Sequence, residues 1–66
     1  MLNNKIDMLK VTAGQIKTYA ERIESELGKV DYDSLYNVEI LMRKIENKAG
    51  TGWFIVLDTY DELEEV

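Results

Sequence analysis

The chain has 66 residues, of which 45% are hydrophobic and 32% charged, and thirteen acidic against eight basic side chains give a net charge of -5. Cysteine and histidine are both absent, which excludes disulfides, thiolate metal sites and Ser-His or Cys-His catalysis. A domain this small buries only about 60% of the surface of its unfolded chain, so we expect it to gain stability by association with another chain.

The first half of the chain predicts a long amphipathic helix over residues 4–29. Asn3 or Asn4 is expected to cap its start, and Gly28 marks its end. Apolar side chains recur at alternating steps of three and four, which places them on one stripe of a helix. The stripe is expected to mediate helix pairing, and it consists of Ile6, Leu9, Ala13, Ile16, Ala20, Ile23, Leu27 and Val30. All of these residues except Val30 are also expected to mediate self-association.

A second helix is predicted over residues 33–49. Asp31, Asp33 and Ser34 offer oxygen atoms that can cap its free amides. Its stripe is Leu35, Val38, Met42, Ile45 and Ala49. Ile40 and Leu41 widen the apolar surface to one side and are expected to contribute to self-association. Gly50 is expected to close this helix, so the first two helices form an antiparallel hairpin.

The last segment of the chain has two competing interpretations. A helix over residues 53–64 would add a short third member and complete an all-α three-helix bundle. In the alternative α+β interpretation, residues 53–57 form a strand that pairs with the same strand of a second copy. The pattern favours the helix.

The same segment is expected to bind a partner. Residues 1–50 contain eight acidic and eight basic side chains, so the whole net charge of -5 lies in residues 51–66. An acidic surface is repelled by nucleic-acid phosphates and by anionic membranes and attracts basic proteins. Aromatic side chains among these acids are typical of anchors at protein interfaces. The predicted partner-binding residues are Trp53, Phe54, Tyr60, Asp58, Asp61, Glu62 and Glu65.

No stretch of the chain carries a signature of catalysis or of metal binding. Asp31-Tyr32-Asp33 resembles the opening of a calcium loop, but Tyr36 stands where that loop needs glycine and Met42 stands where it needs glutamate. Helix capping is the better explanation of these acids. We therefore expect no enzymatic activity, no cofactor and no bound metal.

Together these observations predict a single-domain cytoplasmic protein that forms a homodimer and has no transmembrane segment. The favoured function is that of a non-enzymatic interaction protein, which binds or inhibits a basic protein partner such as a nucleic-acid-binding protein. Two alternatives stay open. One is a small-ligand binder, for a nucleotide or metabolite, with an aromatic pocket at a subunit interface. The other is a purely structural assembly component.

Overall fold

The protein is a hairpin of two long helices. The computed structural model describes the backbone of residues 2–65 and the side chains of residues 3–64. Helix α1 spans Leu2–Glu26 and helix α2 spans Tyr32–Glu65, and no strand occurs between residues 2 and 65. The hairpin measures 52 × 14 × 11 Å. The all-α prediction is therefore confirmed.

The connection between the helices is short and capped. The backbone amide of Leu27 donates to the Ile23 carbonyl over 3.0 Å, which continues the helical bonding just beyond α1. Asp31 is the N-cap of α2: its carboxylate accepts the Ser34 amide at 2.8 Å, and its carbonyl accepts the Leu35 amide at 3.0 Å. The predicted capping of this helix is confirmed.

The predictions at the ends of α1 were less accurate. The helix already includes Leu2, so Asn3 and Asn4 lie within its first turn and neither is the N-cap. Its predicted end near Gly28 is also wrong, since α1 ends at Glu26 and Val30 is exposed in the connection. Val30 therefore does not belong to the helical stripe.

The predicted third helix is wrong, and so is the alternative strand over residues 53–57. Helix α2 continues through Gly50, Thr51 and Gly52 without a break, and no glycine among the described residues has a positive φ angle. Gly52 is buried against α1, where an added Cβ would lie 3.3 Å from Thr12 Cγ2. Close packing of the two helices thus offsets the cost of about 1 kcal/mol that glycine carries inside a helix.

The two helices meet along one line of side chains, here called the seam. Its positions recur at steps of four and three, as in an antiparallel coiled coil. All residues at these positions are buried or half-buried. They are Lys5, Leu9, Thr12, Ile16, Tyr19, Ile23 and Glu26 of α1, and Ser34, Val38, Leu41, Ile45, Lys48, Gly52, Ile55, Thr59 and Glu62 of α2.

The observed seam is rotated relative to the predicted stripe. Both contain Leu9, Ile16 and Ile23, but the seam completes its repeat with polar or aromatic residues such as Lys5, Thr12, Tyr19 and Glu26. The other members of the predicted stripe, apart from Val30, lie on one side of the seam: Ile6, Ala13, Ala20 and Leu27. The hairpin consequently has a thin core: Ile23 and Leu41 are the buried hydrophobic residues among those described, at 6% and 8% exposure.

Candidate interaction surfaces

The side of the hairpin next to the seam is apolar from end to end. On each helix, every seventh residue along this side is apolar. We call this surface the apolar flank, and it consists of Ile6, Ala13, Ala20 and Leu27 from the α1 side with Leu35, Met42, Ala49, Val56 and Leu63 from α2. Its large side chains are solvent-exposed, from 36% at Val56 to 54% at Leu63.

The opposite side of the hairpin shows how the two helices are oriented. We call it the polar flank, although Met8 and Val11 are exposed among its polar residues. Arg22 and Asn37 line one groove there, and Met8 and Thr51 line another. These residues precede seam positions by one residue, whereas apolar-flank residues follow seam positions by one. In an antiparallel pair the preceding residues of both helices share one side and the following residues share the other. The apolar flank is therefore one continuous surface.

Four contacts fix the register of the two helices. Lys5 pairs with Glu62, Gly52 lies against Thr12, the Lys44 Nζ atom lies 5.8 Å from the centroid of the Tyr19 ring, and Asn37 donates to Glu26 over 3.3 Å. This register brings the apolar-flank residues of the two helices to similar levels. By this register Ala13 lies level with Ala49, Ala20 with Met42, and Leu27 with Leu35, whereas Ile6 lies between the levels of Val56 and Leu63.

The residues predicted to mediate self-association fall into three groups. Leu9, Ile16, Ile23 and Leu41 lie in the seam inside one chain. Ile6, Ala13, Ala20 and Leu27 lie on the apolar flank. Ile40 is half-buried in the groove that Arg22 and Asn37 line, so it belongs to the polar side of the hairpin.

A second surface lies at the C-terminal end of α2 and faces away from α1. We call it the outer C-terminal surface, and it consists of Trp53, Phe54, Leu57, Tyr60, Asp61 and Glu64, all exposed. The Trp53 and Phe54 ring centroids are 5.4 Å apart with the planes tilted by 55°. Three aromatic side chains thus lie among carboxylates, and residues 51–66 contain no lysine or arginine.

The structure separates the acidic residues that the sequence grouped together. Asp61 lies on the outer C-terminal surface, whereas Asp58 lies on the polar flank. Glu62 is half-buried in the seam, where its Oε1 atom accepts a hydrogen bond from Lys5 Nζ at 2.9 Å. The side chain of Glu65 lies outside the described residues.

The Lys5–Glu62 ion pair joins the two helices at the open end of the hairpin, which is the end opposite the turn. The hydrogen bond to Glu62 and the negative charges of Glu62, Asp58 and Asp61 raise the pKa of Lys5 above its ordinary value, against a smaller opposing effect of desolvation. The other carboxylate oxygen of Glu62, Oε2, is buried without a hydrogen-bond partner among the described residues. Glu62 therefore has a structural contact that competes with partner binding.

Sequence reasoning missed two members of the outer C-terminal surface, Leu57 and Glu64. Both were present in the pattern, because Leu57 precedes Asp61 by four residues and Glu64 follows it by three, and these spacings share one face of a helix. A strand over residues 53–57 would place Leu57 differently, so this helical face is evident only once α2 is continuous to Glu65.

The grooves of the hairpin do not collect the candidate aromatic residues. Trp53, Phe54 and Tyr60 lie on the convex outer side of α2, and the groove against α1 nearest to them is lined by Met8, Val11 and Ile55 among others. Among the described residues, no group of three or more acidic, cysteine or histidine side chains could hold a metal ion. Neither helix, over the described residues, is both long and apolar enough to cross a membrane.

Comparison with known proteins gave no match: no family model, no curated protein and no solved structure is significantly similar to this chain.

Proposed function

We propose that this chain is a non-enzymatic interaction protein that self-associates through its apolar flank and binds a basic protein partner through its outer C-terminal surface. The observation that carries the partner-binding part is the exposure of Trp53, Phe54 and Tyr60 at 59%, 64% and 61% beside Asp61 and Glu64. Large aromatic side chains left in solvent at one end of a small protein are typical of a binding surface.

The chemistry of this surface defines the kind of partner. Aromatic side chains provide much of the binding energy at protein interfaces. We therefore expect apolar side chains of the partner to pack into the space between Phe54 and Leu57. Residues 51–66 carry five carboxylates and no basic side chain, and Lys5 of α1 pairs with one of them, Glu62. The net negative field that is left attracts basic surfaces and accelerates their association. A basic, amphipathic protein surface meets both requirements.

The test uses Trp53, the only tryptophan of the chain, as a fluorescent reporter within the proposed surface. The probe is a synthetic amphipathic helix of lysine and leucine, and the controls are the same peptide with glutamate in place of lysine and a polylysine of equal charge. We expect the Lys/Leu peptide to bind with a blue shift of Trp53 emission. Polylysine should bind more weakly and lose its binding in salt, and the Glu/Leu peptide should not bind.

Point substitutions identify the surface better than truncation after Gly52, since truncation would also remove Glu62, which pairs with Lys5 of α1. Phe54→Ala with Tyr60→Ala should weaken binding of the Lys/Leu peptide by at least about tenfold, because each removes an exposed aromatic anchor. Asp61→Asn should weaken it less and reduce its salt dependence, whereas the matched control Glu21→Gln on α1 should leave it unchanged. Equal binding of the Lys/Leu and Glu/Leu peptides, or no effect of the aromatic substitutions, would contradict the partner-binding proposal.

A further inference from the structure

We propose that a second copy of this chain docks on the apolar flank, with α1 of each copy lying on α2 of its partner, so that two hairpins form a four-helix bundle. The proposal rests on the self-association part of the proposed function and is independent of the basic partner. Its support comes from the exposed area of the hairpin, the rotation of the seam, the shape of the flank and the charges at its border.

The exposed area is too large for a compact monomer. The hairpin exposes 5393 Å², whereas a compact monomeric protein of its mass, 7.7 kDa, exposes only about 4,300 Å². The excess of roughly 1,000 Å² is comparable to the approximately 800 Å² that each partner buries in a protein–protein interface of standard size. A second copy on one long side of the hairpin covers an area of this order.

The apolar residues of α1 are centred between the seam and the flank. One column of its seam is apolar and contains Leu9, Ile16 and Ile23, but the other contains Lys5, Thr12, Tyr19 and Glu26. The apolar-flank column is more hydrophobic than this second seam column. A helix that buries three such rows of residues, two in the seam and one on the flank, has two helical neighbours, as in a four-helix bundle. Within one hairpin α1 has only one helical neighbour, α2.

The flank has a shape that fits a second helical layer. Three of the four residues at its middle levels are small, namely Ala13, Ala20 and Ala49, and Met42 is the larger fourth, while its ends carry larger side chains such as Leu27 and Leu63. Small side chains allow the helix axes of two layers to approach closely, because the distance between packed helices is set by the residues at the contact. The larger side chains then close both ends of the interface.

Charges at the border of the flank favour one arrangement at the middle of the interface. Lys10, Lys17 and Glu24 lie beside the flank on α1, and Glu39 and Glu46 lie beside it on α2. With α1 on the partner's α2, Lys17 reaches the level of Glu46 of the partner near the middle, and Glu24 reaches the level of Glu39 near the turn. The other two-fold arrangement would bring Lys17 onto Lys17 and Glu46 onto Glu46 at the middle, and Lys10 towards Glu24. Since like charges at the centre of a helical interface are unfavourable, the middle of the flank favours α1 on the partner's α2.

The first experiment measures molecular mass by light scattering from high to low micromolar concentration. The wild-type chain should have the mass of two chains at high concentration. Ala13→Glu with Ala49→Glu places two charges at the centre of the flank and should shift the protein to the mass of one chain. The matched control, Gln15→Glu with Asn47→Glu, adds the same charges at exposed positions of the same helices and should remain dimeric. A wild-type mass of one chain throughout, or equal effects of the two variants, would overturn the proposal.

A second experiment does not require the charged variant to fold. The chain has no cysteine, so single cysteines report contacts without background. An Ala13→Cys chain mixed with an Ala49→Cys chain should form a disulfide between chains under mild oxidation, because such bonds need Cα atoms within about 7 Å. The control mixture of Gln15→Cys and Thr51→Cys, from the polar flank, should not. Cross-linking of the control pair in preference to the alanine pair would refute docking on the apolar flank, whatever the measured mass.

Discussion

The two halves of the seam are held together by different kinds of residue. Near the turn, the seam consists largely of branched aliphatic side chains, and it contains the buried residues Ile23 and Leu41. Near the open end it consists of Leu9, Ile55 and small or polar positions: Thr12, Gly52, Thr59 and the Lys5–Glu62 ion pair. We call these regions the turn half and the open half.

This difference indicates that the two halves have different roles. Burial of aliphatic side chains near a short turn stabilises the hairpin at a small cost in loop entropy. In the open half, the close approach at Gly52 and the ion pair at Glu62 define the register more than they add stability. The outer C-terminal surface is carried by the open half, so the proposed partner binds where the seam is held by small and polar residues rather than by buried aliphatic side chains.

The largest expected effect is a difference between two leucine truncations. Leu41→Ala, in the turn half, should lower the free energy of unfolding by roughly 2 to 3 kcal/mol, because it empties a buried position. Leu9→Ala, at a half-buried position of the open half, should cost about 1 kcal/mol. Urea unfolding followed by circular dichroism at one fixed chain concentration measures both. Equal losses would remove the distinction between the halves.

The second prediction uses the glycines of α2 to sharpen the description of the open half. Gly50→Ala should increase stability by about 1 kcal/mol, because its added Cβ meets nothing within 4 Å and alanine is the better helix former. Gly14→Ala on α1 is a matched control with equally open surroundings. Gly52→Ala should gain less than either, because its Cβ would crowd Thr12 at 3.3 Å. The same gain for all three variants in thermal unfolding would mean that the helices do not approach closely at Gly52.

The glycines also show why the sequence predicted most of the fold but not all of it. The periodicity of apolar residues specified two antiparallel helices, and Asp31 correctly marked the start of α2. The sequence predicts a helix end at Gly50, because the local preference of glycine favours a break there. The neighbour of Gly52 across the seam, Thr12, is 40 residues away in the sequence, so no local pattern reveals that a glycine at position 52 allows close packing.

The candidate site was predictable in composition but not in arrangement. The sequence identified the aromatic and acidic residues of the C-terminal segment, and it identified the alanines that lie on the apolar flank. It could not separate Glu62 from Asp61, because that separation depends on which way α2 rotates against α1. The same rotation decides that Ile6 lies on the flank while Leu9 lies in the seam.

The smallest expected effect concerns pH and the ion pair of the open half. Hydrogen bonding to Glu62 raises the pKa of Lys5, so the folded protein holds this proton more tightly than the unfolded chain does. The resulting stability is fully present below the ordinary lysine pKa of about 10.4, and it is lost as the pH rises through the higher pKa of the folded state.

Thermal unfolding, measured from neutral pH to pH values above that range, tests this prediction. The wild type should lose more stability at alkaline pH than Lys5→Met, which has no proton to lose at this position. Lys5→Arg keeps its charge across this range and should not show the additional loss, while tyrosine ionisation affects all three proteins alike. If the wild type and Lys5→Met lose stability in parallel, the Lys5–Glu62 ion pair does not contribute to the stability of the hairpin.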